Sequence, residues 1–226
     1  MDSIKINLGF NPKFIKTRGL VHYWPFNSHI QDVIGGAHLL NGSNASLIND
    51  RYGRPLSALS LNNGTYKMPA RNYFLKTNFS FTCWVNLKMY DFYSSLIEFN
   101  EVSRRSYVTF LLSANPFSKP KILIRNSGTY DASTRLWSNR QLILNQWIHF
   151  GVTYEYPYTN LYYNGSLDST YSSNQQTFNL TRSFNCIGCS LEYPSDLNLY
   201  GQIDELKIFD RALTQEEIEF EMNNNL

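Results

Sequence analysis

A two-residue alternation between Phe79 and Leu87 constrains the fold of this chain more than any other feature. Every second residue in this segment is apolar, and the residues between them are polar except Trp84. Because side chains on a β-strand alternate between two faces, the pattern predicts a strand with one fully apolar face. Trp84 adds a bulky ring to the second face, which indicates that this face is also partly covered. Such a strand belongs inside a layered sheet structure.

The rest of the chain repeats this kind of signal at short intervals. Further strands are predicted at 95–99, 107–112, 121–125, 146–154, 161–163, 183–190 and 202–209. Asn164-Gly165 is a strong hairpin signal because both residues tolerate positive φ. Near the C-terminus, Thr214 and Glu217 form a capping box, and Ile218 continues a helical apolar spacing. Many short strands with one short helix predict an all-β sandwich or barrel.

The length of the chain favours a single domain over residues 1–226. A chain of 226 residues is within the usual range for one all-β domain, and no repeat or low-complexity linker divides it. Residues 1–18 alternate weakly and are candidates for an edge strand, while residues 223–226 are predicted to form a tail. The first twenty residues lack the apolar block of a secretory signal. Taken literally, this absence suggests a cytosolic protein, but we expect instead that the chain is a domain of a longer protein.

Composition excludes two classes of partner. Charged residues make up 17% of the chain, the formal net charge is +2, and no stripe of lysine and arginine is present. Nucleic-acid binding needs such a stripe to neutralise phosphates, so no nucleic-acid partner is predicted. No apolar run reaches the roughly 18 residues of a membrane-spanning helix, so no membrane insertion is predicted. The neutral polar and aromatic residues suit sugars and polar protein surfaces.

The patterns of an enzyme are missing from the sequence. Glycoside hydrolases use two carboxylates that flank one bond. Glu98 and Glu101 are separated by an odd offset, and Asp204 and Glu205 are adjacent, so both pairs are expected to point to opposite strand faces. The histidines have no metal-ligand spacing. The sequence therefore predicts a non-catalytic protein, with a glycoside hydrolase as the alternative.

The three cysteines leave their pairing open. Cys186 and Cys189, if they lie on one strand, point to opposite faces and are too far apart to bond. A disulfide between Cys83 and either Cys186 or Cys189 is therefore the candidate pairing. The alternative is that all three are buried small hydrophobic residues.

Two sets of residues suggest contact with sugars. Six Asn-X-Ser/Thr sequons are candidate glycosylation sites, which suggests an extracellular origin; they are Asn41, Asn44, Asn63, Asn78, Asn164 and Asn179. Aromatic residues in predicted loops or strand ends are candidate sugar platforms, although the sequence does not select among them. They are Tyr90, Phe92, Tyr93, Tyr130, Trp137, Tyr156, Tyr158, Tyr171 and Tyr193.

Several segments together resemble one known fold family. The segment 19–27, GLVHYWPFN, resembles the opening strand of laminin-G-like domains, and 32–38, DVIGGAH, resembles the loop that follows it. Residues 79–85, 145–150 and 161–165 are similar to the family's central tryptophan strand and next hairpin, and 201–214 is similar to its closing strand and helix cap. The resemblance covers about residues 19–220 in the expected order. It implies a two-sheet antiparallel jelly-roll β-sandwich of the concanavalin A-like type with one short C-terminal helix.

The resemblance also implies a function and a cofactor. Members of this family often hold one Ca²⁺, and the positions that match are Asn27, Asp32 and Asp204. This chain has Asn27 and Gly35-Gly36 where many relatives have Asp and Gly-Asn, so it offers fewer oxygen ligands. The resemblance implies an extracellular or cell-surface binding or adhesion module, most simply one that binds a glycan or glycoprotein. The alternative is a protein-recognition or structural adhesion domain of a larger secreted or membrane-anchored protein.

Overall fold

The computed structural model describes residues 18–74, 77–101, 106–125, 133–172, 180–190 and 198–224. Within these ranges the chain forms thirteen strands and one helix, α1 (Gln215–Asn223). The strands are β1 (Leu20–Trp24), β2 (Leu40–Ile48), β3 (Ala58–Met68), β4 (Phe79–Leu87), β5 (Tyr93–Asn100), β6 (Tyr107–Ala114), β7 (Lys119–Arg125), β8 (Ser133–Trp137), β9 (Ile148–Glu155), β10 (Tyr158–Tyr163), β11 (Ser166–Ser172), β12 (Phe184–Ile187) and β13 (Leu199–Phe209). The predicted all-β fold class with a short C-terminal helix is confirmed.

The strands form two layers joined through β3. The first layer has the order β11-β10-β9-β4-β13-β3, and β1 pairs with the far part of β13. The second layer has the order β3-β12-β5-β6-β7-β8. Strand β3 belongs to both layers because its residues 59–64 pair with β13, whereas residues 66–68 pair with β12. Strand β2 pairs antiparallel with β3. This arrangement is the two-sheet jelly-roll sandwich that the sequence predicts.

The core lies between the two layers and is rich in aromatic rings. Phe81 of β4 stacks on Phe110 of β6, with ring centroids 4.6 Å apart, although these strands belong to different layers. Phe79 stacks on Tyr154 at 5.4 Å and lies edge-on to Phe110. Each phenylalanine buried in this way stabilises the fold by about 1.5–3 kcal/mol. The apolar face predicted for the strand Phe79–Leu87 is the face that packs into this core.

Helix α1 covers part of the outer face of the first layer. Thr214 and Glu217 form the predicted capping box at its N-terminus. Ile218 is fully buried and packs over Gly151, where a Cβ atom would lie only 3.3 Å from the isoleucine side chain. Lys207 of β13 also reaches this helix and donates to Glu221 at 2.7 Å. The first layer is therefore covered on both faces in this region, whereas the outer face of the second layer has no helix within the described residues.

Three strands were missing from the sequence prediction, and some predictions lie outside the described residues. β2, β3 and β8 carry polar residues and, in β2, left-handed Asn41 and Asn44, so their alternation is interrupted. The candidate edge strand within residues 1–18 falls almost wholly outside the described residues, which begin at Arg18. Among the described residues, no helix is both long and apolar enough to cross a membrane.

Candidate functional site

A cleft of about 410 Å³ lies where β3 and β12 meet at the edge of the second layer. Its volume is within the range of small-ligand sites, which is about 300–1,000 Å³. Its walls come from β2, β3 and the region around β12. The lining residues are Asn41, Thr65, Lys67, Met68, Ser183, Phe184, Asn185, Cys186 and Cys189. The lining residues therefore include one phenylalanine, two asparagines, one serine, one threonine and one lysine.

Phe184 supplies the aromatic wall of the cleft. It lies at the start of β12, where Asn100 is its partner on β5. Its side chain is 44% exposed, which is unusual for phenylalanine because burying such a ring is strongly favourable. An exposed ring beside amide and hydroxyl groups matches the apolar face and polar rim of a sugar.

The side chain of Asn185 lies on the core-facing side of β12, because its partners on the neighbouring strands are the core residues Met68 and Phe99. Its Nδ2 donates to the carbonyl of Pro69 at 3.1 Å and to that of Arg182 at 2.8 Å. Its Oδ1 is buried and has no hydrogen-bond partner. Asn185 therefore holds β12 to the segments before it and after β3 beneath the cleft. Thr65 is similarly fixed, because its hydroxyl donates to the carbonyl of Ile187 at 2.9 Å.

The disulfide at the cleft corrects the predicted cysteine pairing. Cys186 is bonded to Cys189, with Cα atoms 5.9 Å apart, and Cys83 is a buried free thiol. The prediction that Cys83 pairs with Cys186 or Cys189 is therefore wrong. It assumed that both later cysteines lie on one strand, but β12 ends at Ile187 and Gly188 turns the chain with φ +80°. A side chain at Gly188 would also lie 2.5 Å from the carbonyl oxygen of Gly64.

Glu98 lies on the same outer face, beside Cys186. It is fully buried, and its carboxylate accepts hydrogen bonds from Asn100 and from Ser190, both at 3.2 Å. Its partners on the two neighbouring strands are Cys186 and Thr109. No second carboxylate therefore faces Glu98 across these strand pairs, and the pair of acids that glycoside hydrolysis requires is not formed there.

Asp32, the first calcium candidate, closes the turn after β1. Its Oδ1 accepts from three backbone amides and its Oδ2 from one amide and from Nδ1 of His22 at 2.6 Å; the amides are those of Tyr23, Ile34, Gly35 and Ala37. Burial alone would raise the pKa of Asp32, but the hydrogen bonds from His22 and the amides outweigh it and hold the pKa well below its ordinary value. Both oxygens are therefore already occupied by N–H donors.

Asp204, the second candidate, faces a cation. Its Oδ2 accepts from Arg51 at 2.5 Å, and that guanidinium lies over the ring of Trp84 at 4.5 Å. Burial, and then the charge of Glu205, raise the pKa of Asp204 to about 7, although Arg51 acts in the opposite direction. Asn27 is exposed in the turn after β1. These residues as arranged do not fit a calcium ion, and among the described residues no group of three or more His, Cys, Asp or Glu side chains could hold a metal.

A bulge in β13 corrects another prediction. Asp204 and Glu205 were expected to point to opposite faces, but the register with β4 shifts between Asp204 and Lys207, and Glu205 has φ 54°. Asp204 contacts Arg51, while Glu205 accepts from the hydroxyl of Tyr23 at 2.7 Å and lies 3.5 Å from Lys207. Both carboxylates therefore lie on the outer face of the first layer, where each has a cationic neighbour.

Most of the sequon asparagines adopt a left-handed backbone conformation. Asn41, Asn44, Asn63 and Asn164 all have φ between 48° and 53°, a left-handed conformation that asparagine adopts more readily than most residues. Asn41, Asn44 and Asn164 are exposed, and Asn63 and Asn78 are half-buried. Asn179 lies outside the described residues. Whether any of them is glycosylated stays a prediction.

Three of the aromatic candidates lie together at the far end of the second layer. Tyr93 and Trp137 pack against one buried cluster that includes Tyr107 and Leu111, and Phe92 is exposed beside Tyr93. Tyr130 and Tyr193 lie outside the described residues. Phe184 was not among the candidates, because it lies at the start of a predicted strand where an inward orientation was equally consistent with the sequence.

Comparison with known proteins agrees with this architecture. A sequence profile of the concanavalin A-like lectin/glucanases superfamily, of the laminin-G type, matches residues 61–219. A comparison with curated protein sequences gives no significant match. The fold is thus a concanavalin A-like jelly-roll sandwich. This chain belongs to the laminin-G type family of that superfamily.

Solved structures of the same fold include binding domains. Domain 4 of AbnA, a GH43 extracellular arabinanase from Geobacillus stearothermophilus, determined in complex with arabinotriose, superposes with a TM-score of 0.73 at 15% identity, covering 90% of this chain and 98% of that one. The binding domain of Paraclostridial mosquitocidal protein 1 gives a TM-score of 0.69 at 16% identity, covering 92% of this chain and 52% of that one. This chain therefore spans about half of the toxin domain. Likeness at this identity shows the fold alone.

Another structure of the same fold is that of botulinum neurotoxin type C, whose cell entry depends on interaction with two ganglioside molecules. It gives a TM-score of 0.65 at 13% identity, covering 94% of this chain and 52% of that one. This chain therefore spans about half of that structure as well.

Proposed function

We propose that this protein is a non-catalytic carbohydrate-binding module of an extracellular or cell-surface protein, and that the cleft at β3 and β12 holds the sugar. The observation that carries the proposal is that the exposed ring of Phe184 and the exposed side chain of Lys67 line one cleft with the exposed residue Asn41. Sugar sites combine an aromatic surface for the apolar face of the ring with polar groups for its hydroxyls.

Two further observations support the proposal. Domain 4 of AbnA, determined in complex with arabinotriose, shares this fold, and so does botulinum neurotoxin type C, whose cell entry depends on interaction with two ganglioside molecules. In addition, Glu98 faces no other carboxylate on its neighbouring strands, which favours binding without hydrolysis. Neither observation names the sugar that this chain would bind.

A glycan array tests the proposal, run once with Ca²⁺ and once with a chelator. We expect binding to a defined set of glycans that is the same in both conditions. Phe184→Ala is expected to weaken the best interaction about tenfold, which corresponds to about 1.4 kcal/mol of lost stacking. Tyr158→Ala is the matched control, because Tyr158 is an exposed aromatic residue on β10 of the other layer. A silent array in both conditions would refute the proposal and favour a protein-recognition domain.

A further inference from the structure

A second exposed aromatic cluster lies on the outer face of the same layer, at the end of β7 and β8. Phe117, in the β6–β7 turn, is 54% exposed and lies edge-on to Trp137 with ring centroids 5.2 Å apart. The ammonium group of Lys121 lies over the Trp137 ring, 4.4 Å from its centroid. A cation beside aromatic rings is a suitable arrangement for a sugar that carries an acidic group.

Hydrogen bonds hold this cluster in place. The carbonyl of Phe117 accepts from the side chain of Gln141 at 3.0 Å, and the amide of Asn115 donates to the carbonyl of Phe92 at 2.9 Å. Lys119 donates to the carbonyl of Asn139 at 2.9 Å. These bonds therefore hold three separate parts of the chain together around the rings. A ligand that binds there would immobilise few further side chains, so the entropic cost of binding is small.

The strand register places this cluster and the cleft on one face. Residues that are Cα partners on neighbouring strands share a face, and one row runs through Lys67, Cys186, Glu98, Thr109, Leu123 and Arg135. Five strand spacings of about 4.8 Å make this row about 24 Å long. Thr109 and Leu123 in its middle are buried, so other parts of the chain cover the row there and a ligand can contact it only at its two ends. A ligand that reaches both ends must be longer than one sugar ring.

The charges at the two ends have the same sign. Lys67 is exposed at the cleft, and Lys121 is half-buried at the second cluster. Burial, and then repulsion from Arg135, lower the pKa of Lys121. Within the row above, the one carboxylate is that of Glu98, which is buried beneath Asn100 and Ser190. An acidic ligand therefore gains favourable charge at both ends.

We propose that the cluster of Phe117, Trp137 and Lys121 is a second sugar subsite, and that the ligand is an acidic oligosaccharide whose carboxylate or sulfate groups meet Lys121 at one end and Lys67 at the other. This inference rests on the proposed function of the cleft. Two weak contacts joined by one chain give a higher affinity than either alone, so the structure predicts a dependence on chain length as well as on charge.

Matched glycans test both parts of the inference by titration calorimetry. The probes are short and long oligosaccharides of uronic acid with their methyl esters, and sulfated oligosaccharides with their desulfated forms. We expect one of the acidic long chains to bind at least about tenfold more tightly than its neutralised form, as one charge-assisted contact allows. Lys121→Gln should reduce that preference and leave only the share that Lys67 contributes, whereas Lys121→Arg should keep most of it. Phe117→Ala should reduce the affinity of the long chain to that of the short chain.

The outcomes separate this inference from the proposed function. If Phe184→Ala weakens short chains but Lys121→Gln and Phe117→Ala behave like the control Tyr158→Ala, the cleft stands and the second subsite is refuted. Equal binding of acidic and neutralised chains refutes the charge requirement. If Phe184→Ala has no effect on any chain, the function proposed for the cleft fails, and the ratio of acidic to neutral binding in Lys121→Gln still decides the second subsite.

Discussion

The carboxylate of Asp32 should stabilise the fold through hydrogen bonds, without calcium. Its Oδ2 accepts from the amide of Ala37 at 2.9 Å and from His22 at 2.6 Å, and its Oδ1 accepts from further amides. In Asp32→Asn one oxygen becomes an NH₂ group, which would face two N–H donors. Hydrogen bonds to a charged group contribute about 1.5–3 kcal/mol each, so losing two should lower the free energy of unfolding by about 3–6 kcal/mol.

Urea unfolding followed by tryptophan fluorescence measures this loss. The titration is run with Ca²⁺ and with a chelator, and the loss in Asp32→Asn should be the same in both. Asp91→Asn is the matched control, because Asp91 is half-buried and its carboxylate accepts a hydrogen bond from the neighbouring amide of Phe92. The free energy of unfolding should change there by no more than about 0.5 kcal/mol. A loss below about 1 kcal/mol in Asp32→Asn, or one seen only with calcium, would refute the reasoning.

The same variant has a defined dependence on pH. The pKa of Asp32 is lowered in the folded protein, whereas an aspartate in the unfolded chain titrates near 3.9. The stability that its charge contributes is therefore fully present above about pH 4 and is lost as the pH falls towards the folded pKa. The difference between the native protein and Asp32→Asn should shrink below about pH 4 and stay constant above it. A difference that keeps growing as the pH falls would contradict this assignment.

Two further predictions follow from local geometry. Burial raises the pKa of the Cys83 thiol, so the native protein should not react with a thiol reagent; after unfolding one thiol should react, and after reduction all three. One reactive thiol on Cys189 in the native protein would contradict the pairing. Thr214→Ala should lower the free energy of unfolding by about 1 kcal/mol because it removes the N-cap of α1, while Thr214→Ser should keep most of it in the same urea titration; equal losses in both would argue against the cap.

The fold could be predicted from the sequence because its strongest signals are local. The alternation from Phe79 to Leu87, the Asn164-Gly165 turn and the Thr214 capping box each depend on neighbouring residues, and the structure contains all three. β2 and β3 were harder to predict because their pairing needs left-handed residues and register shifts between distant segments. The bulge at Glu205 has the same origin, since it is visible only against the partner strand β4.

The candidate site was less predictable because a cleft is made by distant segments. Asn41, Lys67 and Phe184 come together through the pairing of β3 with β12, which no local pattern encodes. Gly188 gave a local signal for the turn that brings Cys189 back to Cys186. The alternation around it nevertheless predicts one continuous strand from 183 to 190, whereas β12 ends at Ile187. The cleft could have been suspected from the Cys-X-X-Cys spacing and the glycine inside it.

Asn41 connects the predicted glycosylation with the proposed binding site. It is an exposed sequon residue, and it also lines the cleft. A glycan attached there would occupy or block the cleft, so both predictions cannot hold at this position in one molecule. Protein made in a glycosylating host should bind the array less well than unglycosylated protein. Ser43→Ala, which removes the sequon and keeps Asn41 in the cleft, should restore binding, whereas Ser166→Ala should not, since it removes the sequon of Asn164 in the β10–β11 turn of the other layer. If glycosylated Asn41 leaves binding unchanged, the sugar is bound elsewhere and the cleft is not the site.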